Sequence, residues 1–188
     1  QRLVAEIHAA VPAEAVVCTD AGSNRHWMNH FFQTRRPNSY FGSGGLGGVS
    51  WSLPAALCAK ILDPTRPAIG ICSDGGFAMQ MHVLLTAVQY GANPVYVVMN
   101  NSRLGMTAEG MGNQSHGNDF PDTDYAGIAR ACGAWAERVE SPDDIAAAIH
   151  AGLAQDKPAV IDVIIDKSES MRQAMYSPLA VEAARGIR

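Results

Sequence analysis

The chain has 188 residues, of which 47% are hydrophobic, and a formal net charge of −4 at pH 7. This size predicts a single domain with a substantial apolar core. The acidic balance and the absence of Lys/Arg clusters argue against nucleic acid or an anionic membrane surface as a partner. No apolar run approaches the ~20 residues of a membrane-spanning helix, and no secretory signal is visible. We therefore expect a cytoplasmic protein, and its first residue, Gln1, indicates a fragment or a processed product.

Cysteine and histidine spacing gives no sign of a metal site. The four cysteines form no C-x-x-C pair, and among the histidines only His26 and His30 have ligand-like spacing. Residues four positions apart share one face of any helix, and no acidic residue stands between these two. The cysteines are expected to be buried, reduced thiols rather than zinc ligands or disulfides; they are Cys18, Cys58, Cys72 and Cys132.

Apolar strands alternate with helical segments along the whole chain. In chain order the pattern predicts a helix over 3–10, a strand over 15–18, a helix over 23–32, a polar loop over 33–40, a glycine-rich segment over 42–48 and a helix over 50–61. It continues with a strand over 68–72, a helix over 77–90, a strand over 95–99, a long polar loop over 102–122, a helix over 123–132, a strand over 135–139, a helix over 141–153 and a strand over 159–165.

This alternation predicts a three-layer, doubly wound α/β fold, with a mostly parallel sheet and helices on both faces. Ser23 and Asn24 are the expected N-caps of the second helix. The domain is expected to span residues 1–166, followed by a C-terminal tail over 167–188 that has helical propensity but no convincing core face.

The glycine-rich segment permits two interpretations. Five glycines among the seven residues from Gly42 to Gly48 indicate backbone that adopts positive φ or approaches a neighbour closely. The spacing of Gly42, Gly44 and Gly47 matches the dinucleotide-binding fingerprint, but the residues before it predict a poor strand, and the nearest later acid, Asp63, is not well placed. A nucleotide site of the NAD type stays open as an alternative, beside a ligand lying against main chain and a purely structural turn.

Two polar side chains stand just past the ends of predicted strands. One apolar run leads into Asp74, which two glycines follow, and a second leads to Asn100 and Asn101. Asp74 and Asn101 are 27 positions apart, the length of one helix plus one strand, so their strands can be neighbours. Both side chains would then lie at the carboxyl edge of the sheet, where open α/β sheets bind ligands.

A diphosphate and a cation would explain this arrangement. Backbone N–H groups at the start of the helix after Asp74 are suited to bind anions, and the carboxylate would repel an anion unless a cation lay between them. Mg²⁺ takes about six oxygen ligands, of which Asp74, the side-chain oxygen of Asn101 and a backbone carbonyl just beyond it could supply three. The alternative is that Asp74 only caps the helix and Asn101 only makes a turn.

An Asp-Gly pair followed about 27 residues later by Asn-Asn is the motif of thiamine-diphosphate enzymes, and Ser73-Asp74-Gly75 with Asn100-Asn101 resembles it closely. Three other segments resemble those of the acetolactate synthase and pyruvate decarboxylase group. Residues 45–56 resemble the segment that holds the aminopyrimidine, residues 101–106 resemble the loop that follows the motif, and residues 19–24 resemble the loop that touches the diphosphate. Over about residues 15–166 the chain is similar to the C-terminal, diphosphate-binding domain of that superfamily, which includes enzymes of the sulfopyruvate decarboxylase type.

The resemblance implies thiamine diphosphate and Mg²⁺ as cofactors. By position, Asp74 and Asn101 would coordinate Mg²⁺ through their side chains and Arg103 through its carbonyl. The Gly47 carbonyl would accept a hydrogen bond from the cofactor's 4′-amino group, and Val49 would keep the cofactor bent, so that this amino group lies against the thiazolium carbon. Further implied contacts are those to the diphosphate, from Gly22, Ser23, Asn24, Gly75, Gly76 and Phe77, and that to the pyrimidine or the substrate, from Met106.

Four positions depart from the family's usual pattern. Ser73 replaces a glycine, and Val49 is smaller than the usual Met, Ile or Leu, which loosens the expected wedge. Met81-His82-Val83 stands where many relatives carry a Gln-Glu pair, so one carboxylate behind the site is missing. Gly110 stands where acetolactate synthases carry a Trp that shapes the second-substrate pocket, which weakens acetolactate synthase as the specific activity.

The residue that activates the cofactor is expected on another domain. In the family, a glutamate that protonates the pyrimidine N1′ lies on a separate pyrimidine-binding domain, and the active site forms between the two domains, usually across a dimer. No glutamate of this chain stands in a matching context, so no catalytic residue is assigned to it. We expect a homo- or hetero-oligomer with such a domain or subunit, and a chain that binds Mg²⁺ and the diphosphate weakly and turns over nothing alone.

Three functions are thus compared. The first is a lyase or transferase that decarboxylates a 2-oxo acid or joins it to an acceptor; the second is a nucleotide-binding domain; the third is a noncatalytic interaction domain that keeps the fold without the cofactor. Arg103, His116 and Arg172 could meet an acidic substrate, although solvated surface charge is the simpler interpretation of each.

Overall fold

The computed structural model describes residues 1–170. Within this range the chain forms six strands, namely β1 (Val16–Thr19), β2 (Tyr40–Gly42), β3 (Ala68–Ser73), β4 (Val95–Asn100), β5 (Trp135–Val139) and β6 (Ala159–Ile164). It also forms eight α-helices, namely α1 (Arg2–Ala10), α2 (Ser23–Phe31), α3 (Ser52–Leu62), α4 (Asp74–Gln80), α5 (Val83–Gln89), α6 (Gly105–Gly110), α7 (Tyr125–Ala131) and α8 (Ile145–Leu153), the last preceded by a 3₁₀ turn (Pro142–Asp144).

The strands form one sheet in the order β2-β1-β3-β4-β6-β5, and every neighbouring pair is parallel. The predicted α/β fold is therefore confirmed, with a sheet that is parallel throughout the described residues. β3 and β4 are neighbours, and Ser73 at the end of β3 is paired with Met99 on β4. Asp74 and Asn100 follow these two residues directly, so the polar strand ends lie side by side.

Apolar side chains alternate between the two faces of the sheet. On one face Ile69 and Val97 pack with α1, α2 and α8, through residues such as Ile7, Met28 and Ile149. On the other face Cys72 and Val98 pack with α3, α4, α5 and α7, through Leu53, Phe77, Leu84 and Ala129. Burial on both faces explains why these strands read as continuous apolar runs in the sequence.

Three sequence-based boundaries were wrong. The segment before the glycines was expected to be loop, yet Tyr40–Gly42 forms β2, a short edge strand paired with β1. The helix expected over 77–90 is two helices. The first, α4, begins at Asp74 and ends before a turn at Met81 and His82, and α5 begins after that turn. The loop expected over 102–122 contains α6.

The start of α2 also differs from the expectation. Its N-cap is Gly22, at φ 117°, whereas Ser23 is the first helical residue and no side chain caps the helix. A glycine is suited to this position because φ values in that range are rare for other residues. Asn24 uses its side chain differently, since Nδ2 donates to the Ala21 carbonyl at 3.1 Å.

The four cysteines are free thiols. Cys18 and Cys72 are buried as expected, whereas the expected burial was wrong for Cys58, which is exposed, and for Cys132, which is half-buried. Among the described residues, no helix has the length and apolar character needed to cross a membrane. Most of the predicted tail, residues 171–188, lies outside the described range.

Candidate functional site

A cleft of about 850 Å³ opens where β1, β3 and β4 end. Eight of the twelve site residues predicted from the sequence line it: Gly22, Ser23, Asn24, Gly47, Val49, Asn101, Arg103 and Met106. The other four, Asp74, Gly75, Gly76 and Phe77, are buried in the first turn of α4. The fold thus brings together residues that are widely separated in the sequence, at the edge where parallel sheets bind ligands.

The carboxylate of Asp74 joins the ends of the two central strands. Its Oδ1 accepts a hydrogen bond from the Gly75 amide at 2.8 Å, and its Oδ2 accepts one from the Arg103 amide at 3.0 Å. The side chain is fully buried, and this burial raises the pKa of Asp74, against the opposing effect of the backbone amides. None of the ion pairs formed by the described residues includes Asp74.

Asn101 and Ser23 meet in the cleft around Gly105. A Cβ atom added to Gly105 would lie 3.4 Å from Asn101 Nδ2 and 4.0 Å from Ser23 Oγ. The side chains that follow β1 and β4 therefore approach the same point, and a glycine at 105 leaves the space between them free.

Arg103 presents its backbone rather than its charge. Its guanidinium pairs with Asp119, at 2.8 Å between Nε and Oδ1, and donates from Nη2 to the Asn113 carbonyl at 3.0 Å. Its own carbonyl accepts from the Gly105 amide at 2.9 Å, which leaves a second lone pair. His116 is exposed, and Arg172 lies outside the described residues.

These residues fit a magnesium ion. A buried carboxylate without a cationic side chain, a carboxamide in the cleft and a backbone carbonyl are hard oxygen donors of the kind that Mg²⁺ takes, with diphosphate oxygens and water as its other ligands. The described residues contain no group of three or more His, Cys, Asp or Glu side chains that could hold a metal ion. Asp74, Asn101 and the Arg103 carbonyl would be three of the about six oxygen ligands that Mg²⁺ takes.

Asn24, one of the residues that line the cleft, has an unpaired polar atom. Its side chain is 3% exposed, and its Oδ1 has no hydrogen-bond partner. An unpaired buried oxygen costs free energy, so this atom can still accept a hydrogen bond that the described residues do not supply.

The glycines of α4 are required by close packing. A Cβ on Gly75 would lie 2.8 Å from Leu104 Cδ2, and one on Gly76 would lie 2.4 Å from Asp20 Oδ2. Their amides already have acceptors in the protein, since Gly75 donates to Asp74 and Gly76 donates to Ser73 Oγ at 3.2 Å. Contacts of these two amides with a diphosphate stay a prediction.

Phe77 belongs to the core. Its side chain is fully buried and packs edge-on against Tyr125, with ring centroids 5.6 Å apart and an interplanar angle of 79°. The side chain therefore cannot make the predicted contact with the diphosphate, and only the backbone of Phe77 could make it.

The glycine-rich loop forms the opposite wall of the cleft. Gly45 and Gly47 have φ values of 64° and 63°, the left-handed conformation that glycine adopts without strain. Leu46 between them is fully exposed, and Val49 is 45% exposed. Arg25 holds the start of the loop by donating from Nη1 to the Ser43 carbonyl at 2.7 Å.

Two buried carboxylates were missed in the sequence. Asp20 follows β1 and accepts hydrogen bonds from the amides of Ala21, Ser50 and Trp51, at 2.8, 2.8 and 2.9 Å. Burial raises the pKa of Asp20, and these backbone amides oppose the rise. The signal that could have found Asp20 is the one used for Asp74, a carboxylate directly after an apolar strand.

The second missed carboxylate is Asp162, which lies on β6 and is fully buried. It accepts from Asn100 Nδ2 at 2.9 Å and from the Tyr125 amide at 3.2 Å. Burial raises its pKa, against the hydrogen bond from Asn100 and the charge of Arg138. The two adjacent asparagines therefore differ, because Asn100 is buried and bonded within the protein while Asn101 faces the cleft.

Comparison with known proteins decides the family. Residues 20–163 match the family model described as the C-terminal TPP binding domain of thiamine pyrophosphate enzymes. The chain belongs to this family. The matched range includes both the glycine-rich segment and the two polar strand ends, so the glycines belong to a thiamine pyrophosphate-binding domain rather than to a dinucleotide-binding unit.

Individual relatives agree with this assignment. The chain is 35% identical over 168 residues to a Bacillus subtilis protein named as thiamine pyrophosphate-containing. This match covers 88% of the chain and 29% of that protein. It is 32% identical over 175 residues to an acetolactate synthase of the same organism, covering 92% of this chain and 31% of the synthase. The chain thus spans about a third of the length of these relatives.

A solved structure shows the same fold. The thiamine diphosphate-dependent 4-hydroxybenzoylformate decarboxylase of Rhodococcus jostii RHA1 superposes with a TM-score of 0.80 at 26% sequence identity. The match covers 88% of this chain and 32% of the decarboxylase chain. The resemblance inferred from the sequence motifs is confirmed at the level of family and fold.

Proposed function

We propose that this chain is the Mg²⁺- and diphosphate-binding domain of a thiamine diphosphate-dependent enzyme that acts on a 2-oxo acid as a lyase or transferase. The observation that carries the proposal is the buried Asp74 carboxylate. It is held by amides from the ends of both β3 and β4, yet none of the described ion pairs gives it a cationic partner. A bound divalent cation would supply the missing positive charge, and oxygens of a diphosphate could coordinate the same ion.

The chain's own residues would bind and orient the cofactor. When bound, thiamine diphosphate supplies a nucleophilic thiazolium carbon and an electron sink for decarboxylation. Asp74, Asn101 and the Arg103 carbonyl would hold the ion. Gly47 and Val49, on the opposite wall of the cleft, would contact the pyrimidine and keep the cofactor bent.

The site is expected to be completed by a pyrimidine-binding domain or subunit, which would supply the activating glutamate and form a homo- or hetero-oligomer with this one. Two observations support this part of the proposal. The chain corresponds to about a third of its relatives. Two apolar side chains that line the cleft are exposed, Val49 at 45% and Met106 at 41%, and Leu46 on the adjoining loop is fully exposed, as surfaces that meet a partner often are.

Calorimetric titration with Mg²⁺–thiamine diphosphate, Mg²⁺–pyrophosphate and NAD tests the proposal. We expect the first two to bind and NAD not to bind. Asp74→Asn should abolish the Mg²⁺-dependent binding, whereas Asp63→Asn, which removes the same charge from an exposed site, should leave it unchanged. Circular dichroism verifies that both variants are folded.

The other outcomes contradict the proposal in distinct ways. Binding of NAD alone would support a nucleotide-binding domain, and binding of no ligand would support a noncatalytic domain. Unchanged affinity in Asp74→Asn would show that this carboxylate is not a ligand of the ion. Decarboxylation of a 2-oxo acid by the purified chain, free of any partner, would show that no second domain is needed.

A further inference from the structure

Ser50, at the end of the glycine-rich loop, has an unusual backbone conformation. It is fully buried and has a φ of 72°, although it is not a glycine. Left-handed conformations of such residues are strained and persist where surrounding contacts hold them. The contacts of Ser50 therefore indicate what this conformation serves.

Ser50 is bound to two other segments of the chain. Its amide donates to Asp20 Oδ2 at 2.8 Å, and its hydroxyl donates to the Gly76 carbonyl. The next amide, that of Trp51, donates to Asp20 Oδ1 at 2.9 Å. A single buried carboxylate at the end of β1 thus holds two successive amides where the loop enters α3.

The third segment, α4, is packed directly against the same carboxylate. A Cβ atom on Gly76 would lie 2.4 Å from Asp20 Oδ2, so only glycine allows this approach. Gly76 lies two residues after Asp74, in the same turn of helix. The end of β1, the end of the glycine-rich loop and the start of α4 therefore meet at one buried point.

We propose that Asp20 and Ser50 are positioning residues, which fix the glycine-rich loop to the frame that carries Asp74. This inference rests on the proposed function. In that function Asp74 belongs to the part of the site that holds the ion and diphosphate, whereas Gly47 and Val49 belong to the part that contacts the pyrimidine. The contacts of Asp20 and Ser50 set the distance between these two parts.

The loop has few other restraints, which makes these contacts decisive. Cβ atoms added to Gly44, Gly45 or Gly48 would meet no other atom within 4 Å. Arg25 holds the loop at Ser43, and Asp20 holds it at Ser50. Loosening the loop at Ser50 would leave Asp74 with its hydrogen bonds from the Gly75 and Arg103 amides, but binding of the pyrimidine would then have to order the loop, at a cost in affinity.

The test compares two ligands in matched variants. Ser50→Ala removes the hydroxyl bond and keeps the strained backbone, whereas Ser50→Gly removes both the bond and the strain. Ser52→Ala is the control, since Ser52 is equally buried and its hydroxyl has no partner. Asp20→Asn keeps the shape of the carboxylate but replaces one of its acceptor atoms with a donor.

We expect both Ser50 variants to bind Mg²⁺–thiamine diphosphate about 3- to 10-fold more weakly, the weight of one hydrogen bond. Mg²⁺–pyrophosphate, which lacks the pyrimidine, should bind as it does to wild type, and Ser52→Ala should change neither affinity. In Asp20→Asn, amide exchange at Ser50 and Trp51 should accelerate while that at Gly75 does not.

Equal loss of both ligands in the Ser50 variants would overturn the inference and show a general structural role, as would no loss of either. Unchanged exchange at Ser50 and Trp51 in Asp20→Asn would overturn it as well. If the wild-type protein binds neither ligand, the proposed function fails, and this inference fails with it. That result differs from every other outcome, because the other outcomes require the wild-type protein to bind both ligands. Ser50→Gly keeps the test decisive if Asp20→Asn does not fold, because glycine adopts φ of 72° without strain.

Discussion

Asn100 donates from Nδ2 to the fully buried carboxylate of Asp162 at 2.9 Å. Its own Oδ1 accepts from the Ser102 amide at 3.1 Å, which shapes the turn after β4. Asn101, the next residue, lies in the cleft. The two adjacent asparagines thus differ in role, because Asn100 holds the end of the sheet while Asn101 faces the ligand cleft.

Alanine substitutions should separate these two roles. Asn100→Ala leaves the Asp162 carboxylate short of a donor and should lower the free energy of unfolding by about 1–3 kcal/mol. Asn101→Ala should change stability by less than about 0.5 kcal/mol but weaken Mg²⁺–pyrophosphate binding. Urea denaturation and calorimetry measure the two effects. A loss of stability in Asn101→Ala as large as that in Asn100→Ala would contradict the division.

Phe77 should act on stability and not on the ligand. Truncation in Phe77→Ala removes the ring from its contact with Tyr125 and should cost about 3–5 kcal/mol. Phe77→Leu retains most of the volume and should cost less than about 1.5 kcal/mol. Because the side chain does not line the cleft, Phe77→Leu should bind Mg²⁺–pyrophosphate with wild-type affinity. Weaker binding by a stable Phe77→Leu protein would show that the ring does reach the ligand.

Charge added at Asn24 should repel an anionic ligand. Asn24→Asp preserves the shape of a side chain that lies in the cleft, and unit charges 4 Å apart near a protein surface repel by about 4 kcal/mol. Even with partial screening, calorimetry should find Mg²⁺–pyrophosphate binding at least about tenfold weaker.

The matched control for Asn24→Asp is Asn29→Asp, which adds the same charge on α2. Asn29 is exposed, and its Oδ1 accepts from the Tyr40 hydroxyl at 2.6 Å, a role that Asp can keep. Its affinity should equal that of wild type. Equal weakening by both variants would mean that only the net charge matters.

The buried thiol of Cys18 should be unreactive. Burial raises the pKa of Cys18 to about 12, so the thiolate fraction at pH 8 falls by roughly 1,000-fold relative to a thiol with an ordinary pKa. A thiol-specific disulfide reagent should modify the exposed Cys58 in the native protein and reach Cys18 only on unfolding. Rapid modification of Cys18 in the native state would contradict its burial.

The same pKa predicts how stability depends on pH. Because the pKa is higher in the folded state than in the unfolded state, Cys18 stabilises the fold fully below pH 9, and this contribution is lost as the pH rises from about 9 towards 12. Denaturation midpoints should therefore fall above pH 9, and they should fall less steeply in Cys18→Ala. An identical slope in the two proteins would show that Cys18 titrates alike in both states.

The sequence predicts the central strands well because burial on both faces makes them continuous apolar runs. It fails at β2, where Tyr40–Gly42 is only three residues long and partly exposed at the sheet edge, so it lacks that signal. It also fails at α6, since two of its six residues are glycines, which have low helix propensity.

The grouping of the candidate site residues could be anticipated to a similar degree, whereas their contacts with a ligand stay predictions. The position of Asp74 and Asn101 after strands indicated that they would lie at one edge, and the fold confirms that their strands are neighbours. The position of Asp20 after an apolar strand could have been noticed in the same way, but its role could not. Two of its partners are the backbone amides of Ser50 and Trp51, which lie 30 and 31 residues later. Any residue type supplies a backbone amide, so the sequence carries no mark of such a bond.

The pairing of Ser73 with Met99 has a consequence for folding. A slip of one residue between β3 and β4 would displace Asp74 by about 3.3 Å relative to Asn101 and turn alternate side chains to the wrong face. A ligand that bridges both strand ends could bind only the correctly aligned sheet, and it would favour that alignment in proportion to its concentration. Besides serving chemistry, the cofactor would then select the correct strand register while the sheet assembles.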